Sequence, residues 1–484
     1  MKHFSGFWRR CAILALFALL ALNATESAAE DERWVALVRK YSAPENAAVL
    51  NRPLPLEVLA RWWDALGDDV LTQLVEQAFK DNKDMKTARA KVMESRASLG
   101  IAKSANMPVV DTTDYWYRTR TSENNGTGNG QTVGLYHLGV DASWELDLFG
   151  RNADSISAAA ATLEADYASL HDAWVSLSAE VALTYISLRT LQSRLDIAEK
   201  NLTLQTDTLD LVRSQYAAGL TNALALAQAR YSVEETRATI PTLKANIEQT
   251  VNALAILVGE VPGSLLLARE RKPLPKPDAS VLIGIPAEAV RQRPDIRAAE
   301  RRLAAQTATR KSAEKDLLPS FSLIGSIGLE SLSSGNLLFG DSLGFNIGPR
   351  ITLPIFHGGA IRKNIKVQSA KEEQLLAAYE KTVLNAVAEV RNALTSNLRE
   401  RERNASLARG VEAASEACES AEDLYINGLA DFSNVIITQQ ALLSLEDDYA
   451  SSEGAMVSNI VNLFKALGGG WEPLAPSLSA QQKE

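Results

Sequence analysis

Two hydrophobic periodicities run along this chain, and each occurs twice. Between 156 and 216 an apolar residue falls at nearly every 3-4-3-4 step: Leu163, Tyr167, Leu170, Trp174, Leu177 and Val181, then Leu188, Leu191, Leu195, Ala198, Leu202, Leu209, Val212 and Tyr216. Only Thr184 and Gln205 interrupt this seam, and neither Gly nor Pro occurs between Arg151 and Ala218. A seam of this length predicts a coiled-coil helix. From 152 to 218, at ~1.5 Å per residue, that helix is on the order of 100 Å long. No compact domain holds such a rod, so the expected shape is a rod or a wall of rods.

A shift of 209 residues reproduces the seam as Leu376, Tyr379, Val383, Ala386, Val390, Ala393, Leu407, Val411, Ala414, Cys418, Ala421 and Tyr425, weakened at Asn397, Glu400 and Asn404. The same shift aligns Tyr216-Ala217-Ala218-Gly219-Leu220 with Tyr425-Ile426-Asn427-Gly428-Leu429. Each Gly stands where a helix needs a left-handed terminator. A second periodic helix follows each one, through Ile240, Leu243, Ile247 and Leu254, and through Leu442, Leu445, Tyr449, Met456 and Leu463. Each half is therefore expected to hold a helical hairpin with its tip at Gly-Leu, and Pro241 is expected to kink the first return helix.

Ahead of each long helix the period changes to two. Tyr136, Leu138, Val140, Ala142, Trp144 and Leu146 alternate with His137, Gly139, Asp141, Ser143, Glu145 and Asp147. In the second half Phe321, Leu323, Gly325, Ile327 and Leu329 alternate with Ser322, Ser326 and Glu330, and Phe345, Ile347, Ile351 and Leu353 with Asn346, Gly348, Arg350 and Thr352. A less regular strand starts near Val109, and polar turn-rich stretches at 121–131 and 331–342 join the members of each pair. Apolar on one face and polar on the other, at this length, is the pattern of a membrane-spanning strand. Asp141, Glu145 and Asp147 then line a hydrated lumen and favour cations and neutral solutes. Four strands cannot close a barrel and lipid tolerates no open edge, so several chains are expected to share one barrel.

Composition narrows the setting. Lys2, Arg9 and Arg10 precede an apolar run from Cys11 to Leu22 and a small-residue site at Ser27-Ala28-Ala29, which reads as a secretory signal peptide cleaved after Ala29. Its loss would move the net charge from −9 to about −11. That balance argues against a nucleic-acid partner. The only thiol left is Cys418, at a seam step, where it reads as a small packed hydrophobe. Trp8-Arg9-Arg10 before Cys11 is not a lipid-anchor site, so no lipid anchor is expected. His137, His171 and His357 are scattered, and no zinc spacing, phosphate loop or catalytic triad order occurs. No metal, no cofactor and no enzymatic activity are expected.

These segments together resemble the TolC-type outer membrane efflux factors, in particular the NodT-like branch. The resemblance rests on Arg61-Trp62-Trp63 through Asp69-Val70-Leu71 to Ala90 as an opening helix, on Trp144-Glu145-Leu146-Asp147-Leu148-Phe149-Gly150, and on Leu257-Val258-Gly259 with Pro262. Arg293-Pro294-Asp295-Ile296-Arg297 with Ala299-Glu300, Leu318-Pro319-Ser320-Phe321 and Leu353-Pro354-Ile355-Phe356 extend it over nearly the whole mature chain. It implies an α+β membrane protein, a homotrimer whose twelve-stranded outer membrane barrel continues into a long periplasmic α-helical barrel. Such a channel is the passive duct of a tripartite efflux pump. Its partners are a periplasmic adaptor and an inner-membrane transporter, usually of RND type.

The resemblance further implies that Gly219, Leu220 and Thr221, with Gly428 and Leu429, form the adaptor-docking tips and the periplasmic entrance. The family's Leu-Asp-Val element after each tip reads here Leu224-Ala225-Leu226 and Ser433-Asn434-Val435, so Asp431 is the nearest tip carboxylate and the candidate for a gate ring. The expected organisation is a signal peptide at 1–29, an N-terminal periplasmic segment at 30–105, a first repeat at 106–265, a linker and helix at 266–315, a second repeat at 316–470 and a tail at 471–484. Two other classes remain open from sequence. A periplasmic coiled-coil adaptor would need a separate β-module between its helices and no lipid-facing alternation. A general porin would need many more strands and no long helices.

Overall fold

The computed structural model describes residues 59–124, 130–265, 270–275 and 292–471. The expected signal peptide and most of the linker lie outside them. The segment expected to be one opening helix is divided. A 3-10 turn, Trp62–Leu66, ends at Gly67 with φ 64, and helices α1 (Asp69–Asp81) and α2 (Lys83–Ser104) follow. Each start is capped by a side chain: Asp68 accepts from the amides of Val70 and Leu71, and Asn82 from Met85. Two caps in sequence satisfy two sets of orphan amides, and this divides the segment in two.

After the first hairpin, β1 (Val109–Arg120) and β2 (Thr132–Leu146), come α3 (Arg151–Ala217) and α4 (Ala223–Leu257). Then α5 (Pro294–Lys315) leads to β3 (Ser320–Ser331), β4 (Leu343–Thr352), α6 (Ala360–Ile426) and α7 (Phe432–Ala466). The long helices α3 and α6 are 67 residues each, the return helices α4 and α7 are 35 each, and α2 and α5 are 22 each. α4 runs unbroken across Pro241.

Most seam residues of α3 are buried. Leu170, Trp174, Leu177, Val181, Leu188, Leu195, Ala198 and Val212 are all under 9 % exposed. Burial of each large apolar side chain stabilises by roughly 1.5–3 kcal/mol. α3 packs on α4 and α7, and α7 on α6. α7 approaches α3 so closely at Gly454 that a Cβ there would meet the Thr190 side chain at 2.0 Å. Two of the polar interruptions of the second seam, Glu400 and Asn404, share one partner. Buried Ser452 of α7 donates to Glu400 at 2.6 Å and accepts from Asn404 at 3.3 Å, so a polar layer sets the α6–α7 register.

The principal core lies where α1, α3, α4 and α7 meet, around Trp62, Trp63, Leu71, Trp174, Tyr185, Leu254 and Phe464. Trp62 stacks on Phe464 at 5.4 Å and meets Trp63 edge-on at 5.8 Å. Arg189 is fully buried there, donating to Tyr185 Oη at 3.0 Å and to Gln192 at 2.7 Å, while Tyr185 donates to Asp68 at 2.5 Å.

His171 of α3 is sandwiched between Trp174 at 5.3 Å and Trp471 at 4.7 Å. Burial, aided by the charge of Arg297, lowers its pKa to about 4. The imidazole is neutral when folded and takes up its proton more readily when unfolded, so stability falls as pH drops from about 6.5 toward 4. Burial raises the neighbouring Asp172, which gives a slope of opposite sign. A melting series from pH 7 to pH 4 is expected to lose part of its downward slope in His171→Phe, and identical slopes would discount this site.

The four strands form one antiparallel sheet in the order β1-β2-β3-β4. The two halves of the chain are joined in it by β2 and β3, with Val140 opposite Ile327 and Asp141 opposite Ser326. One face is mainly apolar, carrying Trp116, Tyr136, Leu138, Val140, Trp144, Leu323, Ile327, Leu329, Phe345, Ile347 and Ile351, with Thr112 and Asp114 of β1 among them. The other carries Asp111, Thr113, Asp141, Glu145, Ser322, Ser326, Glu330, Asn346 and Arg350.

Both return helices end alike against a short helix. Gly259, at φ 81, closes α4 so near the α1–α2 junction that a Cβ would meet the Asp81 carbonyl at 2.5 Å. Asn82 Nδ2 there donates to the Leu257 carbonyl at 2.9 Å. In the second half Gly468 ends α7 at φ 73, and Arg293, at the N-cap of α5, donates to the Ala466 carbonyl at 2.7 Å. Arg293 also pairs with Asp295 at 2.8 Å and Glu389 at 2.7 Å.

Candidate conduit: the polar sheet face and the helical tips

The polar face is an ordered row. Asp111, Asp141, Ser326 and Asn346 lie side by side across all four strands. Thr113 donates to Asp141, and Asn346 Nδ2 to Ser326 Oγ at 2.8 Å. Nearer the loops, Tyr117 stacks on Tyr115 at 5.5 Å and Tyr115 on His137 at 4.7 Å. Gly139 makes room for the imidazole, since a Cβ there would stand 2.6 Å from His137 Nε2.

The other two expected acids are engaged where strand gives way to helix. Glu145 accepts from Arg151 Nη2 at 2.7 Å. Asp147 lies one residue beyond β2, not on it, and its carboxylate accepts from the Ala153 amide at 2.8 Å, capping α3. A carboxylate at a helix start satisfies an orphan amide and the positive end of the helix dipole, which explains its placement.

The tips are near copies of one another. Gly219 at φ 73 and Gly428 at φ 71 end α3 and α6. The amide of Leu220 reaches the Gln215 carbonyl at 2.8 Å and that of Leu429 reaches Leu424 at 2.8 Å, the bonding of a Schellman stop. Leu220 is 79 % exposed and Leu429 75 %, with Thr221 beside the first turn half-buried. Asn222 caps α4 by accepting from Ala225 at 2.9 Å. Asp431 holds the matching N-cap position of α7, yet its carboxylate takes no capping bond and is exposed.

The tips differ in one respect that periodicity does not reveal. Tyr216 is exposed, whereas its counterpart Tyr425 packs on Phe432 at 5.2 Å and donates to Gln215 of the first tip. Phe432 directly after the Asp431 cap was the available signal.

Cys418 is buried on α6, its sulfur 3.8 Å from Glu422. Burial and that carboxylate push its thiol up to about 11. Maleimide labelling of the native protein at pH 8 is expected to run on the order of a hundred-fold slower than that of the denatured chain. Comparable rates would show that the thiol is accessible.

The family model described as outer membrane efflux protein matches residues 74–260 and 285–469, one span for each sheet-and-hairpin half. The chain belongs to the outer membrane efflux protein family. It is 31% identical over 424 residues to Nodulation protein T of Rhizobium leguminosarum bv. trifolii, covering 86% of this chain and 88% of that protein. It is 31% identical over 423 residues to the toluene efflux pump outer membrane protein TtgF of Pseudomonas putida, covering 87% and 88%. Among solved structures, the outer-membrane channel OprN superposes with a TM-score of 0.82 at 34% identity, covering 86% of this chain and 93% of that one. As an outer membrane efflux protein, the chain is an outer membrane channel component of a tripartite efflux pump. The family is one of channel and transport proteins, not of enzymes.

Proposed function

We propose that three copies of this chain form one passive exit duct. Four strands from each copy make a twelve-stranded barrel, and the paired helical hairpins of each supply one third of a periplasmic tunnel. The observation that carries this reading is the sheet. Its apolar face suits lipid, its polar row suits a hydrated lumen, and among the described residues its outer strands β1 and β4 each have one free edge. The equal lengths of corresponding helices in the two halves support the reading of 106–265 and 316–470 as internal repeats.

In this reading Leu220, Thr221 and Leu429, set out on the turns at Gly219 and Gly428, dock a periplasmic adaptor. An inner-membrane transporter of RND type loads the duct. The three Asp431 carboxylates form a ring at the narrow entrance that repels anions and is opened by the adaptor, since like charges across a narrow lumen are costly. Asp141 lines the barrel with Asp111, while Glu145 and Asp147 hold the barrel to the helices. Expression with the leader in a Gram-negative host is expected to yield protein in the outer membrane fraction that cross-links as a trimer and needs detergent for release. A soluble monomer in the periplasm would overturn the reading.

A further inference from the structure

Beyond the aromatic pair Trp116 and Tyr136, whose rings lie 6.0 Å apart, the lipid-facing row of the sheet turns basic. The register sets Arg118 opposite Gly134 and Arg120 opposite Thr132, on the same face as Leu138 and Val140. The only other arginine of the four strands, Arg350, is on the polar face. Arg120 approaches Glu123 at 3.6 Å with both side chains about two-thirds exposed or more. Arg118 has no ion pair or hydrogen bond among the described residues.

Gly134, beside Arg118, leaves a notch in this row. A Cβ there would lie 3.5 Å from Trp116 Nε1 and 3.6 Å from the Tyr136 ring. The indole N–H of Trp116 therefore borders this bare stretch of backbone, with Arg118 opposite it in the register and Arg120 two residues further along the same face. Depth supports an occupant from the lipid. From Trp144 to Tyr136 along β2 is about 26 Å of strand, or roughly 20 Å of depth at a tilt near 40°, close to the apolar band of a barrel. Arg118 lies one further step out, about 5 Å deeper into the headgroup layer on the loop side.

The geometry points to a binding notch for the phosphate of lipid A in the outer leaflet, formed by Arg118, Arg120 and the Trp116 indole. It rests on the outer membrane reading above. Guanidinium forks match phosphate oxygens two at a time, and the indole adds a donor suited to the interface. A phosphate monoester carries close to two charges where a phospholipid diester carries one, so Arg118, together with an Arg120 only loosely held by Glu123, favours the monoester.

Trimers of the full chain purified from outer membranes in mild detergent, with co-purifying lipid A counted per trimer by mass spectrometry, test this. The double variant Arg118→Ala/Arg120→Ala is expected to retain about ten-fold less lipid A than the unaltered protein. Trp116→Phe should fall between the two, and Arg350→Ala, which removes the same charge from the opposite face, should match the unaltered protein. Should the double variant fail to assemble, Trp116→Phe alone decides. Equal retention in all variants overturns the notch. Equal loss of lipid A and phospholipid overturns the assignment to lipid A. An unaltered protein absent from the outer membrane overturns the channel reading itself, an outcome distinct from failure of the notch.

Discussion

Leu220→Asp combined with Leu429→Asp is expected to abolish solute export while the trimer still assembles in the outer membrane. Both leucines stand on left-handed glycine turns, more than 70 % exposed, and neither contributes to the chain's own core. The turns are held by backbone bonds from the leucine amides, which an aspartate retains. A leucine seated in a partner's groove contributes about 2 kcal/mol, and a carboxylate in its place costs several more. Two such changes exceed the roughly 5 kcal/mol that turns micromolar affinity into none at cellular concentrations. Susceptibility to an exported compound, with cross-linked trimer as the assembly control, is the measurement. Unchanged export in the double variant would remove the adaptor-docking assignment.

The second large effect is expected from Arg293→Met. Arg293 is 7 % exposed, and its guanidinium ties the last turn of α7, through the Ala466 carbonyl, to Asp295 and to Glu389 on α6. Removing it leaves a carbonyl without its donor and two carboxylates without their cation. Losing one partner of a fully buried pair costs about 3–5 kcal/mol, and because Glu389 keeps solvent access the loss here is expected at the lower end of that range. The variant should melt well below the unaltered protein and become protease-sensitive around 466. Asn82→Ala, which breaks the matching bond to Leu257, removes only neutral bonds and should cost about 1–3 kcal/mol. An Arg293 effect no larger than that of Asn82 would show that charge contributes nothing to this clamp.

The two clamps also mark the limit of sequence reading. Arg293-Pro294-Asp295 was visible as a motif, and proline is well placed at the start of a helix. That its arginine closes α7 was not visible, because the acceptor is a backbone carbonyl 173 residues away. The same holds at the strand–helix junction. The alternation of β2 correctly sorted Asp141 onto the polar row, but carried one step too far it placed Asp147 there. Once the chain leaves the strand the side-chain direction no longer alternates, and the nearest orphan amide, Ala153, takes the carboxylate. The single opening helix failed for a related reason. Periodicity continues across Asn82, whereas its two side-chain bonds, to the Met85 amide and the Leu257 carbonyl, stop one helix and start the next.

By itself the sequence determined the periods: 3.5 to 3.6 over two long rods, two over the strands, and a left-handed glycine at each tip. Hydrophobic burial and glycine's conformational freedom act locally, and their pattern survives in one dimension. Only the tertiary structure decided how β2 meets β3 across the two halves, which polar groups pair in the seams at Ser452 and Arg189, and how Tyr425 rather than Tyr216 joins the two tips. Those choices depend on which donor meets which acceptor once rods and strands have docked, and a buried polar group must find its partner wherever the fold places one.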